Sequence, residues 1–296
     1  MAIRIGTAGP DSLLGSADAD LILGRAGNDE IQGREGNDTI LAGDGNDTVY
    51  GDNFLLDGSF GGPLPPLRGS AADGPGDNLI LAGDGNDLVY AGFGADTVLG
   101  GAGNNTVLGY GVFGGSPSGS QVVNDADGPD LLIGGAGDDT LIGGGGDDVL
   151  WGGDGADLLE GGRGADRLAG GDGPDIFQFR FGSPAPTTDT GIGPEGRDLV
   201  LDFCQGEDRL DLRGYLNVFA GPGGQPPAVF LGTDPFEASF ALQVRYVVEC
   251  GHAVVQFAAP LGQPPPGTEP VVPAGPSGEI ELAGIRHLTA SDFILG

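Results

Sequence analysis

The sequence predicts an all-β chain, a right-handed parallel β-roll closed by a β-rich C-terminal cap, and three observations carry that prediction. A nine-residue period runs through most of residues 1–178. Its sixth position is Asp or Asn in every unit, and its eighth is apolar in every unit. Gly supplies 62 of 296 residues while hydrophobic residues still make up 39%, a pairing that fits neither collagen nor plain disorder.

Aligned on glycine, the units are 6–14, 15–23, 24–32, 33–41 and 42–50, then 73–81, 82–90, 91–99 and 100–108. The last six are 125–133, 134–142, 143–151, 152–160, 161–169 and 170–178. Six glycine-rich residues suit a turn, because glycine reaches positive φ without steric cost. The last three suit a short strand whose middle side chain points inward. Two units then make one coil with a strand on each side, and coils stack about 4.8 Å apart. The core is a double file of position-eight side chains running from Leu13 to Phe177, which no unit could bury alone. Parallel crossovers of this kind are right-handed.

Position six holds Asp11, Asp20, Asp29, Asp38, Asp47, Asn78, Asp87, Asp96, Asn105, Asp130, Asp139, Asp148, Asp157, Asp166 and Asp175. Stacked turns turn these side chains into a ladder, and carboxylates near 5 Å repel by about 3 kcal/mol at an effective dielectric of 20. A hard divalent cation removes that cost. Calcium accepts six to eight oxygens in flexible geometry, backbone carbonyls included, whereas zinc prefers His and Cys, which the turns lack. The thirteen aspartates are therefore the candidate ligands of multiple Ca2+ ions, with weaker or missing sites at Asn78 and Asn105. The plain alternative is that Asp only caps its turn. Asn would do that equally well, yet thirteen of fifteen units use Asp.

The net charge of −31 points the same way, since 43 acidic residues face 12 basic ones, all of them Arg. Such a polyanion repels nucleic acid and anionic membranes and attracts cations. No run is long enough for a membrane span. Residues 1–7 lack the apolar segment of a secretory signal, which on its own reads as cytosolic. Cys204 and Cys250 leave one disulfide or two free thiols equally open.

Two stretches interrupt the frame, 51–72 and 109–124, each where a turn should begin. Their Gly, Pro and Ser content predicts loops at one edge of the roll. Phe54, Leu55, Leu56 and Phe60 suggest that the first folds back and offers room for a ligand. Position nine, from Leu14 to Trp151, is unexpectedly apolar for an outward site. Covering by the loops or by the C-terminal segment is the simpler account; a self-association or ligand surface is the other.

The repeat matches G-G-x-G-x-D-x-U-x, which resembles the RTX (haemolysin-type) calcium-binding repeat. Beyond it, Asp175-Ile-Phe177-Gln-Phe179, the stretch from Asp198 to Leu212 and the tail Asp292-Phe293-Ile294-Leu295 resemble the C-terminal region of serralysin-type RTX proteins. That resemblance implies an uncleaved C-terminal signal read by a type I secretion apparatus, and an extracellular location, free or associated with the cell surface. The expected division is a calcium roll over 1–178 and a cap carrying the signal over 179–296. The chain departs from that family in lacking a protease: no H-E-x-x-H occurs, and His252 and His287 read as surface or packed residues. No catalytic residue is expected; Glu207, Asp208 and Asp211 lie together but in a stretch that resembles the family's structural cap. The expected role is calcium binding with a structural or interaction function outside the cell. The alternative is a module that binds polysaccharide or serves a secreted enzyme, as the resemblance to alginate-epimerase rolls implies.

Overall fold

The computed structural model describes residues 1–51, 76–110, 128–180, 191–214, 228–237, 242–258 and 276–295. Strands β1 (Ile3–Ile5), β3 (Leu21–Ala26), β5 (Thr39–Asp44), β7 (Leu79–Asp84), β9 (Thr97–Ala102), β11 (Leu131–Ala136), β13 (Val149–Asp154) and β15 (Arg167–Asp172) stack in parallel as a first sheet. Strands β2 (Ser12–Leu14), β4 (Glu30–Gln32), β6 (Thr48–Tyr50), β8 (Leu88–Gly92), β10 (Thr106–Tyr110), β12 (Thr140–Gly145), β14 (Leu158–Arg163) and β16 (Ile176–Gln178) form a second. Consecutive units alternate between the sheets, so two units make one coil of a parallel β-roll. Equivalent positions sit opposite each other, as Leu132↔Leu150 and Leu150↔Leu168 illustrate. Many strands are longer than the three residues expected, because pairing carries on into the first residues of the next turn.

Position eight fills the interior: Ile22, Ile40, Ile80 and Val98 from one sheet, and Ile31, Val49, Val89 and Val107 from the other, are all fully buried. In the first strand the equivalent place goes to Arg4, opposite Ile22, whose guanidinium Nε donates to the Leu14 carbonyl at 2.9 Å. A cation thus stands at the open end of the core.

Two turn positions require glycine for a reason the structure makes plain. At positions two and four the backbone has positive φ, for example 121° at Gly153 and 143° at Gly155. A Cβ there would also overlap the carbonyl of the equivalent residue one coil earlier, Gly135 or Gly137. The first coil has no coil beneath it, and there the glycines lapse to Thr7, Ser16 and Asp18. Arg25 and Arg34 are the exceptions, non-glycine residues held at position two with φ of 87°. Relief of that strain outweighs the added chain entropy of glycine, so Arg25→Gly should stabilise the roll by about 0.5–1 kcal/mol. A calcium-saturated thermal melt with an unchanged or lower midpoint would refute this.

Both interruptions leave the ladder intact. Backbone-to-side-chain hydrogen bonds that span 18 residues elsewhere span 40 from Asp38 to Asn78 and 34 from Asp96 to Asp130. The excesses, twenty-two and sixteen, are the full lengths of 51–72 and 109–124. Their starting points differ from the expectation. Gly109 and Tyr110 belong to β10, and Gly51 and Gly109 each lie against the position-six side chain of the unit that follows, Asn78 and Asp130. Position one is Gly or Ala in every unit when these two are counted, whereas the repeat alignment would have put Asp73 and Asp125 there. Each interruption therefore leaves from inside a turn. The apolar residues Phe54, Leu55, Leu56 and Phe60 lie outside the described residues.

Sheets and core run through residue 178 without a break. Strands β17 (Asp198–Val200) and β18 (Arg209–Asp211) add one more coil, and β22 (Gly278–Leu282) and β23 (Phe293–Ile294) pair in parallel beyond them. The stack then ends: β21 (His252–Ala258) runs antiparallel to β22 and to β20 (Leu242–Glu249), with β19 (Ala228–Phe230) outermost. Phe177 meets Phe203 at 6.1 Å and Phe230 meets Phe293 at 5.1 Å, continuing the core into the cap. The tail motif is packed, with Asp292 and Phe293 both buried. Cys250 (φ 50°) and Gly251 (φ 94°) make the two-residue turn between β20 and β21, the left-handed pair a tight hairpin needs. Both cysteines are free and exposed.

Candidate metal centre

The ladder builds itself from backbone geometry. In each rung the N–H of a position-six residue donates to Oδ1 of the equivalent residue one coil later. One edge carries Asp11→Asp29→Asp47→Asp87→Asn105→Asp139→Asp157→Asp175, at 2.6–3.1 Å. The other carries Asp20→Asp38→Asn78→Asp96→Asp130→Asp148→Asp166, at 2.7–2.9 Å. Asp175 then donates to Asp208 and Asp166 to Asp198, so both files extend into the cap on two residues the nonapeptide frame does not reach. Their signal was the G-x-D-x-U segment they keep, Gly196-Arg-Asp198-Leu-Val and Gly206-Glu-Asp208-Arg-Leu.

The two readings of position six thus divide between the two oxygens of one carboxylate. Oδ1 performs the backbone clamp that Asn could also perform. Oδ2 of Asp29, Asp47, Asp87, Asp139, Asp157, Asp166 and Asp175 is buried and accepts no hydrogen bond. A buried charged oxygen without a partner costs several kcal/mol unless it is protonated or neutralised. The carboxyls accordingly favour the protonated form. Burial, with the charges of Asp87, Asp29 and Asp44 added, pushes Asp47 up to about 6. Burial likewise drives Asp139 to about 6 and Asp166 and Asp175 to about 7.

The first coil differs. Oδ2 of Asp11 accepts from the Thr7 amide and hydroxyl at 2.5 and 3.0 Å, and Oδ2 of Asp20 accepts from the Ser16 amide at 2.5 Å. Burial opposes ionisation of Asp20, yet hydrogen bonds from Ala2 and Ser16 hold it below the usual carboxylate range. These two aspartates are satisfied by the chain itself. So is Asp208, whose Oδ2 takes the Cys204 amide at 2.6 Å.

The donor set fits calcium. Where a Cβ would stand on the position-one glycine, the structure brings together the Oδ2 of that unit's Asp and the carbonyl of position one in the next coil. At Gly134 these are Asp139 Oδ2 and the Gly152 carbonyl; at Gly152 they are Asp157 Oδ2 and the Gly170 carbonyl. Every donor is an oxygen and about half are neutral. No group of three acidic, His or Cys side chains gathers among the described residues, so carbonyls must complete any coordination sphere. At Asn105 the amide nitrogen takes the place of Oδ2 and donates to the Gly103 carbonyl at 3.2 Å. Asn105→Asp should therefore lower stability without calcium and raise calcium stoichiometry or affinity with it. Isothermal titration and melts in both states check this, and a uniform loss in both would count against it.

The other candidate chemistry resolves into structural pairs. His252 Nδ1 lies 2.8 Å from Glu281, and His287 Nδ1 lies 2.9 Å from the Tyr246 hydroxyl. Asp211 is bridged by Arg213 at 2.7 Å. No helix among the described residues is long and apolar enough to cross a membrane.

Comparison with known proteins gives a family match over the repeats. The family model for the RTX calcium-binding nonapeptide repeat (4 copies) matches residues 5–31, 23–54, 73–107, 124–159 and 143–177. Among solved structures, the chain is similar to the R3 subunit of the Azotobacter vinelandii mannuronan C5-epimerase AlgE6, at 29% identity, over 61% of this chain and 86% of that one, with a TM-score of 0.34. The R2 subunit of the same enzyme gives 26% identity over 57% and 88%, with a TM-score of 0.33. Extracellular lipase LipA from Serratia marcescens gives 16% identity over 99% of this chain and 40% of that one, with a TM-score of 0.20. No curated protein sequence matches the chain. The ladder of aspartates, the glycine frame that spaces it and the family match together place the roll of this chain in the family of RTX calcium-binding nonapeptide repeats.

Proposed function

We propose that the chain is a secreted calcium-binding protein that folds on calcium after type I export and serves a structural or interaction role outside the cell, without enzymatic activity. The observation that carries this is the run of buried, unpartnered Oδ2 atoms along one edge of the roll, in a chain with no Lys and only 12 Arg. Asp29, Asp38, Asp47, Asp87, Asp96, Asp130, Asp139, Asp148, Asp157, Asp166 and Asp175 are the ligands in this reading, with position-one carbonyls beside them. Asp11 and Asp20 are the weakest members, because Thr7 and Ser16 already occupy them. Calcium, when bound, neutralises the ladder and links neighbouring turns. Since it binds only the folded roll, it stabilises that state by mass action.

Export follows the same logic. A cell interior poor in free calcium leaves residues 1–178 expanded and threadable, and the tail at 288–295 free to be read. After folding that tail is the last strand of the second sheet, so recognition precedes folding. The roll over 1–178 is the calcium unit and 179–296 the cap and signal. Far-ultraviolet circular dichroism of the full chain, titrated with calcium at pH 7.5, tests the proposal: β signal should appear with calcium, and native signal persisting after calcium is stripped would overturn it.

A further inference from the structure

The two sheets present unlike outer faces. Positions seven and nine of β3, β5, β7, β9, β11, β13 and β15 give fourteen outward sites; ten are Leu, Ile, Val or Trp, one is Arg, and none is acidic. The matching sites on the second sheet include Glu30, Gln32, Glu160 and Gln178, and there Leu108 is already buried. On the first sheet the described residues leave this face open: Leu41, Leu79, Leu99, Leu131 and Val149 are 37–40% exposed and Trp151 is 55% exposed. The strip runs on to Ile5 at one end and Leu201 at the other. In a chain of net charge −31 an acid-free strip nine strands long is the exception, and carboxylates return only at the strand ends, as with Asp44, Asp84 and Asp154.

We propose that this face is where two calcium-loaded copies of the chain meet, first sheet against first sheet. Two features select a second copy as the occupant. An apolar centre with charge held to the rim is the composition of protein–protein interfaces, and through it two polyanions can approach without opposing carboxylates. The side-chain rows repeat at the strand spacing of about 4.8 Å, so two copies share a period and their rows interdigitate, as surfaces of unrelated fold would not. The contact is then isologous, each substitution counting twice.

The inference needs the folded roll but not a particular ligand set, and the two fail separately: loss of folding appears in circular dichroism, loss of the interface only in mass. The test is analytical ultracentrifugation of the full chain in calcium and a reductant, which excludes dimers through Cys204 or Cys250. Trp151, the one tryptophan, serves as the internal probe. The expected result is a monomer–dimer equilibrium in the micromolar range or tighter, with Trp151 emission moving to shorter wavelength as concentration rises. Leu99→Glu and Leu131→Glu should weaken association by at least about 100-fold, while Thr140→Glu on the second sheet leaves it unchanged. Should the glutamate variants misfold, Trp151→Ala and the wild-type emission shift still decide. A folded, calcium-loaded chain that stays monomeric at high concentration overturns the proposal. So does a dimer whose Trp151 emission and affinity are untouched by all three first-sheet variants, or a monomer that instead binds apolar beads or vesicles through this face.

Discussion

Stripped of calcium by gel filtration, the chain will gain β structure as the pH falls from about 8 to about 5, while the calcium-loaded chain loses stability over the same interval. The two slopes have opposite sign because they report two ways of silencing the same oxygen. Asp47 and Asp139 titrate at about 6 in the folded state, and Asp166 and Asp175 at about 7, against 3.8 for an ordinary carboxyl. Groups raised in this way bind protons more tightly in the folded chain than in the unfolded one. Their contribution is complete below the ordinary carboxylate range and is lost as pH rises through 6 to 7. Ion-free folding is therefore favoured by acid. Calcium needs the ionised form, so with calcium present protons compete and stability falls through the same window. Asp20 and Asp211, both lowered by their hydrogen bonds against the pull of burial, act the other way and withdraw support only at still lower pH. Denaturant midpoints measured across this range, with and without calcium, give the two slopes. An ion-free chain that unfolds further on acidification to pH 5 would remove the buried-carboxylate account.

Gly155→Ala should cost the calcium-saturated roll about 3 kcal/mol or more, while Gly9→Ala should stay within about 0.5 kcal/mol of the parent. Both glycines hold position four of their units. At Gly155 φ is 143°, and a Cβ would overlap the Gly137 carbonyl and lie 2.6 Å from its carbon, atoms of a backbone fixed by the stack. Nothing stands within 4 Å of a Cβ at Gly9, beneath which no described coil is stacked. A left-handed backbone costs an L-residue about 1–2 kcal/mol before any overlap is counted. The overlap cannot be relieved locally without shifting the neighbouring coil. Chemical denaturation at saturating calcium compares the pair; equal losses would mean that the glycines serve chain flexibility rather than stacking.

Much of this architecture was legible because a solenoid writes each structural rule many times. Position eight read as the core and position six as the ladder, and the structure places both so. What stayed hidden was whatever the repeat states only once, or states in a longer period. The division of labour between Oδ1 and Oδ2 belongs to the stacked geometry, and residue identity does not distinguish the oxygens. Asp198 and Asp208 keep their rung and the glycine two residues before it, Gly196 and Gly206, but stand out of phase with the nonapeptide frame. The unlike outer faces appear only when units are sorted alternately, because each sheet takes every second nonapeptide. Gly51 and Gly109 were assigned to the interruptions, since a linear alignment cannot see that position one must be small. The antiparallel turn at Cys250 and Gly251 follows no repeat at all.

The alternation of strands between two sheets also sets the increments by which such a chain can change length. A gain or loss of eighteen residues moves everything downstream by one coil and leaves every side chain on its own face. A change of nine would carry the downstream strands to the opposite sheet, moving the acid-free strip across the molecule and bringing the closing hairpin to the wrong edge. The interruptions, twenty-two and sixteen residues long, are multiples of neither, and so they interrupt turns without adding coils. A lineage that changes the number of coils in this molecule without spoiling it is thereby confined to steps of eighteen residues, while its turns accept insertions of other lengths.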